Sequence, residues 1–282
     1  TEEALAMLES MYPTLFQDHK GKEKVQQLMS VYEALRGAQL RKQDNSLKGF
    51  PLLTRSTLQK TAELMDRFPR LGVEETLHVT APYTGSLRAC VSKDMTTMVD
   101  TIVPKVESSS KANLPTLRPV QESGVLVYES PNGPVQLATG SAAPAPVEEF
   151  RTLLPTQLSA LNSMLECHTL GQDICVCGPK GSGKSVVVRA FAQLLGYQVH
   201  TFPLYSELTT RDLLQRRTTD NAGNTSWQDS PLIAAARTGG LCILDGVDKL
   251  DANVLASLQR LLNDKAVDLP DGTRLTAEPE QG

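Results

Sequence analysis

No run of about 18 apolar residues occurs in the 282-residue sequence, and a helix needs about that length to cross a bilayer. No membrane span is therefore expected. Charge of either sign is also not in excess: 28 Lys and Arg against 32 Asp and Glu leave a net charge of -4. That balance gives nucleic acid or an anionic membrane no general electrostatic attraction. The five cysteines, Cys90, Cys167, Cys175, Cys177 and Cys242, form no CxxC pair and have no His cluster beside them, which argues against zinc. Cys175 and Cys242 fall in apolar strand-like runs, where cysteine acts as a small hydrophobe, and a reducing compartment follows. The chain begins at Thr1 with acidic, helical residues, unlike a signal or transit peptide. It reads as an internal piece of a longer polypeptide, about two domains long.

Residues 1–80 carry three helical patterns, EEALAMLESMY, EKVQQLMSVYEAL and TRSTLQKTAELMDRF. In the second, Val25, Leu28, Val31 and Leu35 repeat at helical spacing. Thr54 is placed to cap the third. Residues 81–123 form a connector whose SSSKANLPTLRPVQESG stretch is polar and aperiodic. Residues 124–150 hold a hairpin pattern around Pro131-Asn132-Gly133, followed by a short linker, AAPAPVEEF. From 151 to 282 helices and strands alternate, which predicts an α/β core with a mostly parallel sheet. DICVCG, YQVHTFPL and GLCILD read as its strands.

GPKGSGKS, residues 178–185, has the spacing GxxxxGK[ST] between a predicted strand and a predicted helix. Gly178, Gly181 and Gly183 let the backbone curl until its N–H groups face phosphate oxygens, with Pro179, Lys180 and Ser182 between them. The helix that follows adds the positive end of its dipole. Lys184 brings a full charge toward the β and γ phosphates, and the Ser185 hydroxyl is placed to ligate magnesium. Asp245 ends the apolar strand Leu241-Cys242-Ile243-Leu244 and supplies a carboxylate on the magnesium side. ATP and Mg2+ are the implied cofactors. GTP is disfavoured, because Val247 stands where a guanine-reading motif needs asparagine.

Farther on, Gly223-x-Thr225-x-Trp227-x-x-Ser230-Pro231-Leu232 precedes a helix, the GLCILD strand, LxxLQRLLND and a Leu-Pro-Asp-Gly hairpin. This succession resembles the MoxR/dynein/midasin branch of AAA+ ATPases. Within it, the sequence is most similar to the von Willebrand factor A domain-containing protein 8 family, including LYSELTTRDLLQRRT. The resemblance is dense over 150–275 and thin over 1–80.

It implies an ATP-binding module of a multi-module ring ATPase that remodels a protein partner. ATP or ADP, neighbouring modules or subunits, and a protein substrate or adaptor are the implied partners. A mitochondrial location is implied as well. FPLLTRSTLQKTAELM resembles the helical lid that completes such a module, which makes Arg55 a sensor of the nucleotide bound by a preceding module. The core itself would end before sensor 1 and the arginine finger.

Some residues have readings without the family. Ser230-Pro231 starts a helix, Trp227 anchors that helix in the core, and Asp271-Gly272 turns a hairpin. Arg211, Arg216 and Arg217 read as charges on a solvated helix face, or on a contact surface if the family applies.

One catalytic part is missing. The residue after the Walker B aspartate is normally a glutamate that orients the attacking water, and here it is Gly246. Asp248 would share a face with Gly246 if the chain continued extended, which makes it a substitute base. Otherwise the module binds nucleotide without hydrolysing it and serves a structural role.

Overall fold

A computed structural model of the protein describes residues 2–41, 53–81, 97, 99, 101–103, 116–119, 125–130, 133–219 and 223–277. The chain divides into two compact units, Thr1–Ala138 with Val147–Phe191 and Thr139–Pro146 with Ala192–Gly282.

In the first unit, helices α1 (Glu2–Met11), α2 (His19–Arg41), α3 (Arg55–Arg67) and α4 (Val73–Thr80) bury their apolar stripes together. Leu8, Leu28, Leu58 and Leu77 are each 0% exposed, and each contributes about 1.5–3 kcal/mol by leaving water. The helical spacing in α2 meets this core at Val25, Leu28 and Leu35, while Val31 is half-buried. Thr54 caps α3, its hydroxyl accepting from Thr57 N–H at 3.0 Å.

Strands β1 (Thr116–Pro119), β2 (Val125–Ser130) and β3 (Gly133–Ala138) form an antiparallel sheet in the order β1-β2-β3. β1 corrects the reading of its stretch as an aperiodic connector. Its pairing with β2 is tertiary, and Pro119 is tolerated because it ends an edge strand. Pro131 and Asn132, the expected turn residues, lie outside the described residues. Leu126, Tyr128, Val135 and Leu137 point to the buried side, and Tyr128 Oη donates to Asn162 Oδ1 at 3.0 Å on helix α5 (Pro155–Thr169).

Between α5 and helix α6 (Lys184–Leu194), the expected strand DICVCG is not one. Residues 172–179 join no ladder among the described residues, Asp173 and Cys175 are exposed, and Ile174, Val176 and Cys177 are only half-buried. A strand is defined by the neighbour that takes its backbone hydrogen bonds, and apolar content alone does not provide one.

The second unit contains the expected parallel pair. β4 (Val199–Pro203) and β7 (Leu241–Asp245) run side by side from Val199↔Leu241 to Pro203↔Asp245. Between them lie helix α7 (Thr210–Leu214), strands β5 (Gln215–Thr219) and β6 (Thr225–Asp229), and helix α8 (Pro231–Thr238). β5 and β6 pair antiparallel, so Arg216 and Arg217 sit on a ribbon rather than on a helix face. Arg216 pairs with Asp212 at 2.9 Å. Trp227 faces Arg217 across this ribbon and is 41% exposed, which corrects its reading as a core anchor.

α8 starts as its sequence predicts. Ser230 Oγ accepts from Ile233 N–H at 3.3 Å and donates to Leu213 O at 2.7 Å, with Pro231 in the first turn. The predicted helix NVLASLQRLLND is two shorter ones, α9 (Ala252–Ala256) and α10 (Gln259–Asp264). β8 (Ala266–Asp268) and β9 (Arg274–Thr276) then pair about a turn containing Asp271-Gly272, where Gly272 has φ 88°.

The segment read as a short linker is fixed in place. Gly140, Ala142 and Ala145 donate their N–H groups to Leu195, Gly196 and Gln193 carbonyls at 2.8, 2.9 and 2.9 Å.

Candidate functional site

The GPKGSGKS loop lies in the first unit and ends where α6 begins at Lys184. Gly181 and Gly183 have φ of 85° and 82°, a region that costs other residues about 1–2 kcal/mol. Ser182 N–H bonds back to Pro179 O at 3.3 Å, and Val186 N–H to Gly183 O at 2.9 Å. Lys184 Nζ donates to Gly178 O at 2.9 Å and Pro179 O at 3.0 Å, so its ammonium lies beneath the loop it must serve. Gly178 through Ser182 and Ser185 are exposed, while Gly183 and Lys184 are half-buried. A loop of accessible N–H groups, a half-buried ammonium and a hydroxyl at a helix start make an anion cradle. The side chains present suit a magnesium-bound polyphosphate.

Sequence reading missed a residue beside this cradle. Gln157, in the first turn of α5, accepts from Leu154 N–H through Oε1 at 3.0 Å. Its Nε2 fills the space that a β-carbon on Gly183 would enter. The only sequence signal was a glutamine three positions after Leu154, where it reads as a helix-start residue.

Asp245 lies in the second unit, exposed, at the end of β7 and level with Pro203. Its backbone carbonyl accepts from Leu204 N–H at 2.8 Å. The chain does not continue extended. Gly246 turns to φ 89°, ψ 37°, and Val247–Lys249 form a 3-10 turn closed by Lys249 N–H to Gly246 O at 2.9 Å.

In a 3-10 turn, residues three apart eclipse one another. Lys249, not Asp248, therefore stacks over Gly246, and the shared face that motivated Asp248 as a base is absent. A β-carbon on Gly246 would stand 3.1 Å from Leu204 O and 3.2 Å from both Cδ and Nζ of Lys249. Asp251 caps α9 through Asn253 N–H at 2.8 Å.

Arg55 is the first residue of α3 and pairs with Glu3 at 2.6 Å, the two side chains being 64% and 81% exposed. So exposed a pair contributes little to stability.

Cys175 and Cys177 Sγ atoms stand 3.5 Å apart. Burial, then the Cys175 hydrogen bond, pushes the Cys177 thiol up to about 11, and burial pushes Cys242 up to about 11. Among the described residues no group of three or more His, Cys, Asp or Glu gathers as a metal cluster. No helix among them is long and apolar enough to cross a membrane.

Residues 173–282 match the model of the AAA domain, dynein-related subfamily. Across 274 residues, 91% of its length, the chain is 32% identical to mouse von Willebrand factor A domain-containing protein 8. It spans only 14% of that protein. Denitrification regulatory protein NirQ of Stutzerimonas stutzeri is 34% identical over 95 residues, 34% of each chain. Protein CbbQ of Hydrogenophilus thermoluteolus is 44% identical over 70 residues, 25% of this chain and 26% of its own.

Proposed function

Because residues 173–282 belong to the AAA domain family, dynein-related subfamily, we propose that this chain carries an Mg-ATP-binding module whose site holds the nucleotide without activating water. Gly178 to Gly183 wrap the phosphates, and Lys184 neutralises the β and γ oxygens. Ser185, in the first turn of α6, and Asp245, at the tip of β7, are the residues that would hold magnesium, which would offset the phosphate charge. A water molecule attacking the γ-phosphate needs a side chain that orients it. The observation that carries the reading lies at that position: Gly246 has no side chain and a left-handed backbone, and Lys249 covers it.

The module works within a ring of AAA modules or subunits, where its nucleotide state stabilises the assembly. Remodelling of a protein partner would then draw on hydrolysis at other sites. The division into a lid at 1–80, a connector at 81–123, a hairpin and linker at 124–150 and a core at 151–282 belongs to this proposal. So does Arg55 as a sensor for a preceding module: its solvent-exposed pair with Glu3 is weak enough to open toward a phosphate. A mitochondrial location is the remaining part, checked by following the tagged protein in fractionated cells.

A second reading keeps turnover at this site with Asp248 as base, supported by its exposed carboxylate three residues from Asp245. The experiment for the main reading is nucleotide binding by the full-length protein with and without Lys184→Ala. Mg-ATP should be retained by the wild-type domain and lost from the variant. Equal binding by both would remove the phosphate loop from the function.

A further inference from the structure

Two thiols meet directly in front of the phosphate loop. The Sγ atoms of Cys175 and Cys177 stand 3.5 Å apart, in the same unit as the loop. Cys175 is exposed and Cys177 half-buried. Residues 172–179 join no ladder among the described residues, so no cross-strand hydrogen bonds hold this backbone against a small shift. Cys167, in the same unit, is different: it is buried, and burial pushes its thiol up to about 12. Gly178 follows Cys177 in the chain, and its carbonyl is one of the two that hold Lys184 Nζ, at 2.9 Å. A contact between two sulfurs is thus joined through one peptide bond to the support of the loop's lysine.

We propose that Cys175 and Cys177 are a reversible redox modification site, a dithiol that closes to an intramolecular disulfide and thereby weakens the grip of the phosphate loop. The oxidant is a small-molecule disulfide of the glutathione type. Cys175, the exposed thiol, loses its proton and attacks one sulfur of the oxidant, which releases a first small thiol and leaves a mixed disulfide. Cys177 Sγ then attacks Cys175 Sγ, loses its own proton and expels the second small thiol. The protein gives up two protons and two electrons, and the oxidant takes them up as two thiols. Burial pushes the Cys177 thiol up to about 11, which leaves the first attack to Cys175. An S–S bond is about 2.05 Å long, so the sulfurs must close by about 1.5 Å from their present 3.5 Å. The unpaired backbone from Val176 to Gly178 takes up that movement, and Lys184 loses the register of its carbonyl support. A transient pair of this kind suits a reducing compartment. The disulfide rests on the two thiols alone, while its effect on the loop rests on the nucleotide-binding reading proposed above.

The test equilibrates full-length protein in mixtures of reduced and oxidised glutathione, alkylates the thiols that remain free, and weighs and fragments the peptide that holds Cys175 and Cys177. In oxidised glutathione this peptide should lose two hydrogens and take up no alkyl group at either cysteine, and dithiothreitol should reverse both changes. Alkylation of both cysteines after oxidation, glutathione left on either one, or pairing of either with another cysteine overturns the site. The Mg-ATP retention that depends on Lys184 should fall about tenfold on oxidation, the worth of one charge-assisted hydrogen bond, and recover with dithiothreitol. Cys175→Ser and Cys177→Ser should retain nucleotide equally in both redox states. A disulfide that forms while this retention stays unchanged overturns the control of the loop, and so does an oxidative loss that persists in both serine variants. If no retention depends on Lys184, the nucleotide-binding reading fails and the effect on the loop fails with it, while the mass measurement still decides the disulfide.

Discussion

The side-chain amide of Gln157 packs against the α-carbon of Gly183, in the space where any other residue would place its β-carbon. Gln157 is held there by the Leu154 N–H bond to its Oε1, so helix α5 forms a wall behind the phosphate loop. Gly183→Ala meets both this wall and the cost of φ 82°. It should lose about 1–2 kcal/mol of stability and bind nucleotide at least tenfold more weakly. Gln157→Ala in the same chain should recover part of the binding loss and leave the backbone cost in place. Titration of Mg-ATP against the two single variants and the double variant measures this coupling.

Ser230 is buried and uses its hydroxyl twice, toward Ile233 N–H and toward Leu213 O. Ser230→Ala removes the cap of α8 and leaves two backbone groups unpaired. A loss of about 1–2 kcal/mol is expected in urea denaturation. Unchanged stability would mean that water replaces both bonds.

Asp271 is held down to about 2, first by the Thr273 hydroxyl, then by the Gln215 amide and the Thr273 N–H. A carboxylate whose folded pKa lies below its unfolded value contributes stability above the unfolded value, and that contribution is lost as the pH falls through the folded one. The window therefore runs from about pH 4 down to about pH 2. Asp271→Asn should flatten the fall in stability across that window and change the slope above about pH 5 very little. Denaturation midpoints measured across the acid range check it.

The legible parts of this protein are those with short-range causes. The GxxxxGK[ST] spacing, the Thr54 and Ser230 caps and the Asp271-Gly272 turn each depend on residues within a few positions of one another. The parts that did not follow depend on partners far along the chain. Trp227 looked like core because it is large and apolar, but the β5–β6 ribbon holds it in solvent. Ile174 to Cys177 looked like a buried strand, yet no neighbour among the described residues takes their backbone hydrogen bonds. The substitution of glycine for glutamate after Asp245 was plain from residue order. The 3-10 turn that brings Lys249 over that glycine was not, because an extended continuation fits the same letters.

Asp248→Asn separates the two readings of turnover. If Asp248 is no base, single-turnover hydrolysis by this domain is the same in Asp248→Asn and wild type. A fall of about a hundredfold, typical for loss of a general base, would support the second reading instead.

The most direct measurement loads full-length protein with labelled Mg-ATP, removes the excess, and identifies the nucleotide whose retention depends on Lys184 by comparison with Lys184→Ala. If the site holds ATP without cleaving it, this fraction remains ATP. ADP formed in wild type and missing from Lys184→Ala would contradict it, and would make the site an active one that works without a glutamate at 246.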